Sequence, residues 1–475
     1  MKKLTYILAF AAFASPLLHA EKIRIGIGTQ DTTINTAAGG PVVRELHLLE
    51  KYLPRDGKYK DAEYDIVWHN FPSGPPLNNE LLANKLDIGQ MADFPAILGA
   101  VAFQTANNGV STFYIASLSL GAKGAGNAVL VPGASPVQSF SGLKGKRVSV
   151  PFGSTAHAAL LRAVQDQGWD PEKDIQLVSQ APEVGGSALK ANQIDAHADF
   201  VPFGELFPFR GFARKIYDGS STGVTTTHGI QVRSDFAEKY PELVIAYLRA
   251  TLEASQLIQE NPEELSEKIQ DWTGIEAEVV YAFHGPGGIQ TRDFTFKPEV
   301  VAAITKANDT LKLLKKTDQT IDVSNFVNDK FIREAAKEAG LDYDARLKDY
   351  GAVPFTGNAL DTEKPISDPT LAGQIWVKGE PKVRLYSTPE ATLNAEKTLK
   401  AEGKIIRVVY VHDRGTGNKL FADKVWYVHS PTGQLAAFLL KTDADAWAQK
   451  NGGSVLAFAD IEKSLDPTAG TTAQR

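Results

Sequence analysis

Residues 147–164, RVSVPFGSTAHAALLRAV, set a glycine and two hydroxyl side chains between an alternating apolar segment and a helical one. Gly153, Ser154, Thr155, Ala156 and His157 then form the start of a helix that follows a strand. The first four N–H groups of a helix have no partner inside it. Together with the helix dipole they attract negative oxygen atoms. Gly153 permits close approach, Ser154 and Thr155 add hydroxyl donors, and His157 offers one more. The chemistry this suits is recognition of a small oxyanion. The same hydroxyls also suit plain N-capping, and both readings stand at this level.

Two further loops close strands in a similar way. Thr29-Gln30-Asp31 follows KIRIGIG, and Ala92-Asp93-Phe94 follows DIGQMA. Asp93 suits a helix cap, with Pro95 in the first turn, or a ligand contact. Asp199 and Glu205, in ADFVPFGEL, can pair with an ammonium group or remain solvated loop charge. Phe71, Phe94, Phe200 and Phe203 serve as core or as cleft wall.

Catalytic patterns are absent. The chain has no Gly-x-Ser-x-Gly elbow, no His-Glu-x-x-His and no phosphate-cradling Gly-x-x-x-x-Gly-Lys-Ser/Thr. No nucleophile and base stand out, so the chain is read as a non-enzyme without a cofactor. It holds no cysteine, and Met91 is its one methionine beyond the start. Soft metals would lack thiolate and thioether ligands. No metal site is expected. His412 and His429, on strand-like segments near the end, leave open a periplasmic metal-handling or assembly role for that part.

The elements that must position these loops alternate. KIRIGIG and EYDIVWHNF read as strands; PVVRELHLLEKYL and NNELLANKL read as helices. Alternation of this kind implies an α/β fold with a mostly parallel sheet. The pattern recurs: LLANKLDIG at 81–89 matches LKANQIDAH at 189–197, and ADF follows both, at 92–94 and 198–200. Two lobes built alike, with a cleft at the carboxyl ends of their strands, account for this. At ~150 residues per domain, 475 residues suggest about three units. Residues 1–20 have the basic start, apolar run and small final residue of a cleavable signal peptide, so an exported, periplasmic protein is expected. Loss of Lys2 and Lys3 takes the formal net charge from −6 to −8. That balance speaks against nucleic acid as a partner.

The expected organisation is a first lobe over 21–117, a second over 118–222, and a return to the first lobe with further helices over 223–350. A Pro/Gly/Asp-rich linker follows at 351–373. A small α+β domain fills 374–465, and 466–475 is a polar, disordered tail.

Three segments, VPFGSTAH, SGPPLNNELLANKLDIGQMADFPA and LKANQIDAHADFVPFGE, resemble the substrate-binding proteins of nitrate/sulfonate/taurine ABC importers. The resemblance covers residues 22 to about 300. It implies a type II periplasmic binding fold, two α/β lobes joined by a hinge. It further implies a monomer that carries a small anionic ligand, an alkanesulfonate or taurine, to an ABC permease in the inner membrane. Nitrate and bicarbonate are the alternatives within that class. By the same resemblance, Ser154, Thr155, Ala156, His157, Thr29 and Gln30 meet the sulfonate, and Asp93 and Phe94 complete the pocket. Where that family often reads Trp-Glu-Pro-Phe, this chain has Phe200-Val201-Pro202-Phe203, with the acid displaced to Asp199. The last unit, with KVWYVHSP and AAFLLKTDADAWAQKNGGSVLAFADI, is similar to NosL-like accessory domains. Without that family's soft ligands it is read as a scaffold or docking module.

Overall fold

The structure is a computed structural model that describes residues 21–121, 124–311, 319–349 and 355–464. The expected signal peptide and the expected polar tail lie outside the described residues. In the first lobe six strands lie side by side in the order Glu63–Asn70, Lys22–Thr29, Ile88–Ala92, Thr226–Arg233, Thr112–Gly121 and Gln290–Thr291. The first three are parallel; the fourth turns antiparallel. The alternation in KIRIGIG puts Ile23, Ile25 and Ile27 in the core, none more than 2% exposed.

The second lobe repeats the plan with Gln176–Ser179, Arg147–Val150, Ala196–Asp199, Ala128–Pro132 and Ala213–Asp218. Again three strands are parallel and the fourth reverses. The repeated Ala-Asn-x-(Leu/Ile)-Asp has the same job in both lobes. Asn84 and Asn192 take φ values of 58° and 54° just past a helix, the left-handed turn that ends it. Asp87 Oδ2 then accepts the Gly26 N–H at 2.7 Å, and Asp195 Oδ2 accepts the Arg147 N–H at 2.9 Å. Each aspartate thus anchors its strand to the parallel neighbour.

The chain passes between lobes from Gly121 to Ala128 and back from Asp218 to Thr226. The first crossing falls later than the expected 117/118 boundary. Strand Thr112–Gly121 stays in the first lobe because it pairs along its whole length with Thr226–Arg233.

The C-terminal domain opens at strand Gly373–Val377 and has two antiparallel sheets. Its own core includes Ile375, Leu393, Val411 and Tyr427. A second set, Trp376, Val408, Tyr410 and Phe421, joins the core of the lobes instead. Trp376 and Tyr410 are at most 1% exposed, and burying each side chain stabilises the contact by roughly 2–3 kcal/mol. The Tyr410 hydroxyl donates to the Glu278 carbonyl at 2.7 Å, and Arg407 pairs with Glu278 and Glu267. The Phe421 ring lies 5.1 Å from that of Phe209 in the second lobe. The domain therefore grips helix Ala277–His284 and helix Phe203–Phe209 together. Among the described residues, no helix is long and apolar enough to cross a membrane.

Candidate functional site at the seam between the lobes

Helix Thr155–Asp166 buries Ala156, Leu160, Ala163 and Val164 in the second lobe. Ser154 caps it: its backbone is extended and its Oγ accepts the His157 N–H at 3.2 Å. The Gly153 N–H donates to His157 Nδ1 at 3.1 Å, and the imidazole stacks on Phe152 at 4.6 Å. Ser154 and His157 therefore organise the turn itself. Among the described residues, no acceptor meets the amides of Thr155 and Ala156. Gly153 has φ 81°. A β-carbon there would lie 3.0 Å from Pro75 Cγ and 3.3 Å from Leu98 Cδ1 of the first lobe. The helix tip thus sits at the inter-lobe crevice, with Ser154, Thr155 and His157 each at most 6% exposed. Pro75 and Pro76 open the facing helix, Gly74–Leu82, and bring no N–H to the meeting point.

The first lobe contributes Asp93. Its carboxylate accepts the Phe94 N–H at 2.7 Å and the Thr227 N–H at 3.1 Å. Burial pushes its pKa up to about 6, opposed by those two amides and by Arg162. Thr155, Ala158 and Arg162 share one face of their helix. With Asp93, Phe94 and Asn127 they enclose a cavity of about 10 Å³, room for one water. The Arg162 Nη2 donates to Thr310 Oγ1 at 2.6 Å across the seam. Arg162 Nε, Asn127 Oδ1 and Thr226 Oγ1 are buried without a partner. Sequence reasoning missed Arg162. Its position seven residues after Thr155, on the same helix face, was the available signal.

Thr29 and Gln30 end their strand in the first lobe, both at most 4% exposed. Thr29 Oγ1 donates to Asp31 Oδ1 at 2.6 Å, and Asp31 pairs with Arg44 at 3.0 Å. Gln30 Nε2 donates to the Gln90 carbonyl at 2.8 Å. In the loop beyond, Thr33 Oγ1 and Asn35 Oδ1 are buried and unpartnered.

Asp199 departs from the expectation that it meets ligand. It is fully buried, accepts the Phe200 N–H at 2.8 Å and faces His197 Nε2 at 2.8 Å. His197 Nδ1 in turn faces Ser149 Oγ at 2.7 Å. These are serine, histidine and aspartate in triad order, yet all three are 0% exposed. Ser149 and His197 are register partners within the sheet, and Gly185 packs directly on the imidazole. No substrate reaches that hydroxyl, so the chain is structural. Phe200 packs edge-on against Phe203 at 5.9 Å, in the core. Glu205 pairs with Lys215, beside Asp218, as a buried ion cluster rather than loop charge.

A cavity of about 910 Å³ lies on the first lobe, away from the seam. Its charges are largely matched in pairs, such as Lys51 with Glu253 and Arg249 with Glu338. His412 is buried with Nδ1 2.7 Å from the Ala372 carbonyl, and burial pushes its pKa down to about 4. His429 is exposed on the other sheet. Among the described residues no three His, Cys, Asp or Glu side chains are grouped to hold a metal ion.

Residues 54–271 match the NMT1-like family. A Bacillus subtilis protein, named for a proposed role in binding aliphatic sulfonates, is 27% identical over 273 residues, 58% of this chain and 79% of that one. An Escherichia coli protein named in the same way is 29% identical over 281 residues, with the same coverage of 58% and 79%. The alkanesulfonate-binding protein of Xanthomonas axonopodis pv. citri, solved with MOPS bound, superposes at a TM-score of 0.54 and 23% identity, over 66% of this chain and 100% of that one. The two lobes have the type II periplasmic binding fold. The residues that match the NMT1-like family, 54–271, span both lobes.

Proposed function

We propose that the protein is the periplasmic solute-binding component of an ABC importer. It captures a small oxyanion, an alkanesulfonate or taurine, between its lobes and hands it to the membrane permease as a monomer. The observation that carries this reading is the pair of unpartnered amides, Thr155 and Ala156, at a helix start on the inter-lobe seam. The unpartnered Nε of Arg162 lies two turns along the same helix. Ser154 and His157 preorganise that turn, and Thr155 adds its hydroxyl. Asp93 and Phe94 form the opposite wall, while Thr29 and Gln30 hold the neighbouring strand end. The relatives named for sulfonates support the ligand class.

Nitrate or bicarbonate is the second reading. The observation in its favour is the tight seam, about 10 Å³ in this structure, which suits a small planar anion better than a long one. Calorimetry with taurine, alkanesulfonates, nitrate and bicarbonate tests both. Saturable binding of one of them, lost in a Thr155→Pro variant that still folds, is the expected result. Silence toward all four ends this reading.

A further inference from the structure

A cavity of 400 Å³ lies between the second lobe and the C-terminal domain, within the size range of small-molecule sites. Its walls are apolar: Ile216 and Pro208 from the lobe, and Leu420, Val425, Trp426 and Phe458 from the domain. Its charged residues are mostly matched. Arg214, Lys215, Lys424 and Lys441 line it with Glu205 and Asp423, and Lys419, whose pKa burial drives far down, adds no charge. Lys215 is neutralised by Glu205 and Asp218, and Lys424 by Asp423 at 2.8 Å. Arg214 has no carboxylate partner and donates instead to the carbonyls of Ser135 and Val137. Lys441 sits 5.6 Å over the Trp426 ring and pairs with Asp445 at 2.8 Å. Leu440, Lys441 and Thr442, at the start of helix Lys441–Asn451, also line the space, and no side chain caps that helix.

We infer that this cavity binds a small amphipathic organic anion, an aromatic or medium-chain carboxylic acid. Its apolar body lies against Trp426 and Phe458, and its carboxylate meets Arg214, the lining cation without a carboxylate partner. The match is of two kinds at once: apolar walls take the body, and the guanidinium of Arg214 selects the head. The site is distinct from the seam and does not depend on what the seam carries. A ligand here touches the second lobe and the C-terminal domain together.

Calorimetry on the full chain with naphthalene-2-carboxylate, and with neutral 2-acetylnaphthalene as control, tests the inference. One saturable site is expected, at least tenfold weaker for the neutral compound. Ala457→Trp, which fills the cavity from strand Ser454–Ala457, abolishes binding. Lys424→Glu, on an exposed residue that spares the fold, weakens it several-fold at low salt. Equal binding by the neutral compound, or undiminished binding in both Ala457→Trp and Lys424→Glu, overturns the proposal.

Discussion

Pro75 and Gly153 meet across the seam so closely that a β-carbon on residue 153 would stand 3.0 Å from Pro75 Cγ. Gly153 also holds φ 81°, a conformation that costs a non-glycine residue roughly 1–2 kcal/mol. Gly153→Ala therefore strains the turn and pushes the lobes apart. The expected outcome is about a tenfold loss of anion affinity, measured by calorimetry, with a larger radius of gyration in X-ray scattering. An unchanged affinity removes Gly153 from the closing surface.

Asp93 links stability to pH. Its folded pKa, about 6, lies above the ordinary 3.8. Its protonated form thus stabilises the fold below about pH 4, and that contribution is lost as pH rises through 6. The charged form costs about 3 kcal/mol at neutral pH. Denaturant unfolding of Asp93→Asn compared with the parent, from pH 4 to 7, should show the variant gaining relative stability as pH rises. A constant difference contradicts the assignment.

The buried imidazoles act in the opposite sense. Burial lowers His228 to about 3 and His412 to about 4. Neutral in the fold and protonated when unfolded, each costs about 2 kcal/mol of stability at pH 5 relative to neutral pH. Asp93 returns only about 1 kcal/mol over that interval. Net acid destabilisation between pH 7 and 5 is expected in thermal melts. A melting temperature that rises on acidification would refute it.

Lys419 is 1% exposed, and its Nζ has no hydrogen-bond partner. It lies 4.2 Å over the Tyr281 ring and 5.2 Å over that of Tyr410, and burial drives its pKa far down. An orphaned buried amine costs roughly 1–3 kcal/mol. Lys419→Met should raise stability by about that amount, read from the urea midpoint, and the gain should shrink as pH approaches 10. A loss of stability would mean that the ring contacts outweigh the missing hydrogen bonds.

Ser149, His197 and Asp199 are sealed in the second lobe. Ser149→Ala should cost about 1–3 kcal/mol of stability, because it leaves a buried imidazole nitrogen unpaired, and should not change anion affinity. Fluorophosphonate should not label Ser149. Labelling would show that the hydroxyl is reachable after all.

Local chemistry made much of this readable in advance. Ala-Asn-x-(Leu/Ile)-Asp announces a left-handed helix end and a strand anchor, and Asn84, Asn192, Asp87 and Asp195 do those two things. Ser154 announces a cap, and it is one. What sequence could not supply was which way a side chain turns once a neighbouring strand is present. Asp199 turns inward because His197, two residues earlier on the same face of its strand, lies within the sheet and faces Ser149. Arg162 escaped notice because its value depends on Thr310, 148 residues away. The domain crossing slid past 117 because pairing with Thr226–Arg233 decides where strand Thr112–Gly121 stops.

The C-terminal domain has one foot on Glu278 and another on Phe209. Rocking the lobes about their crossings must slip at least one of those footholds. The appended unit is therefore a strut as well as a passenger: any change in the angle between the lobes is resisted by how firmly that strut is seated.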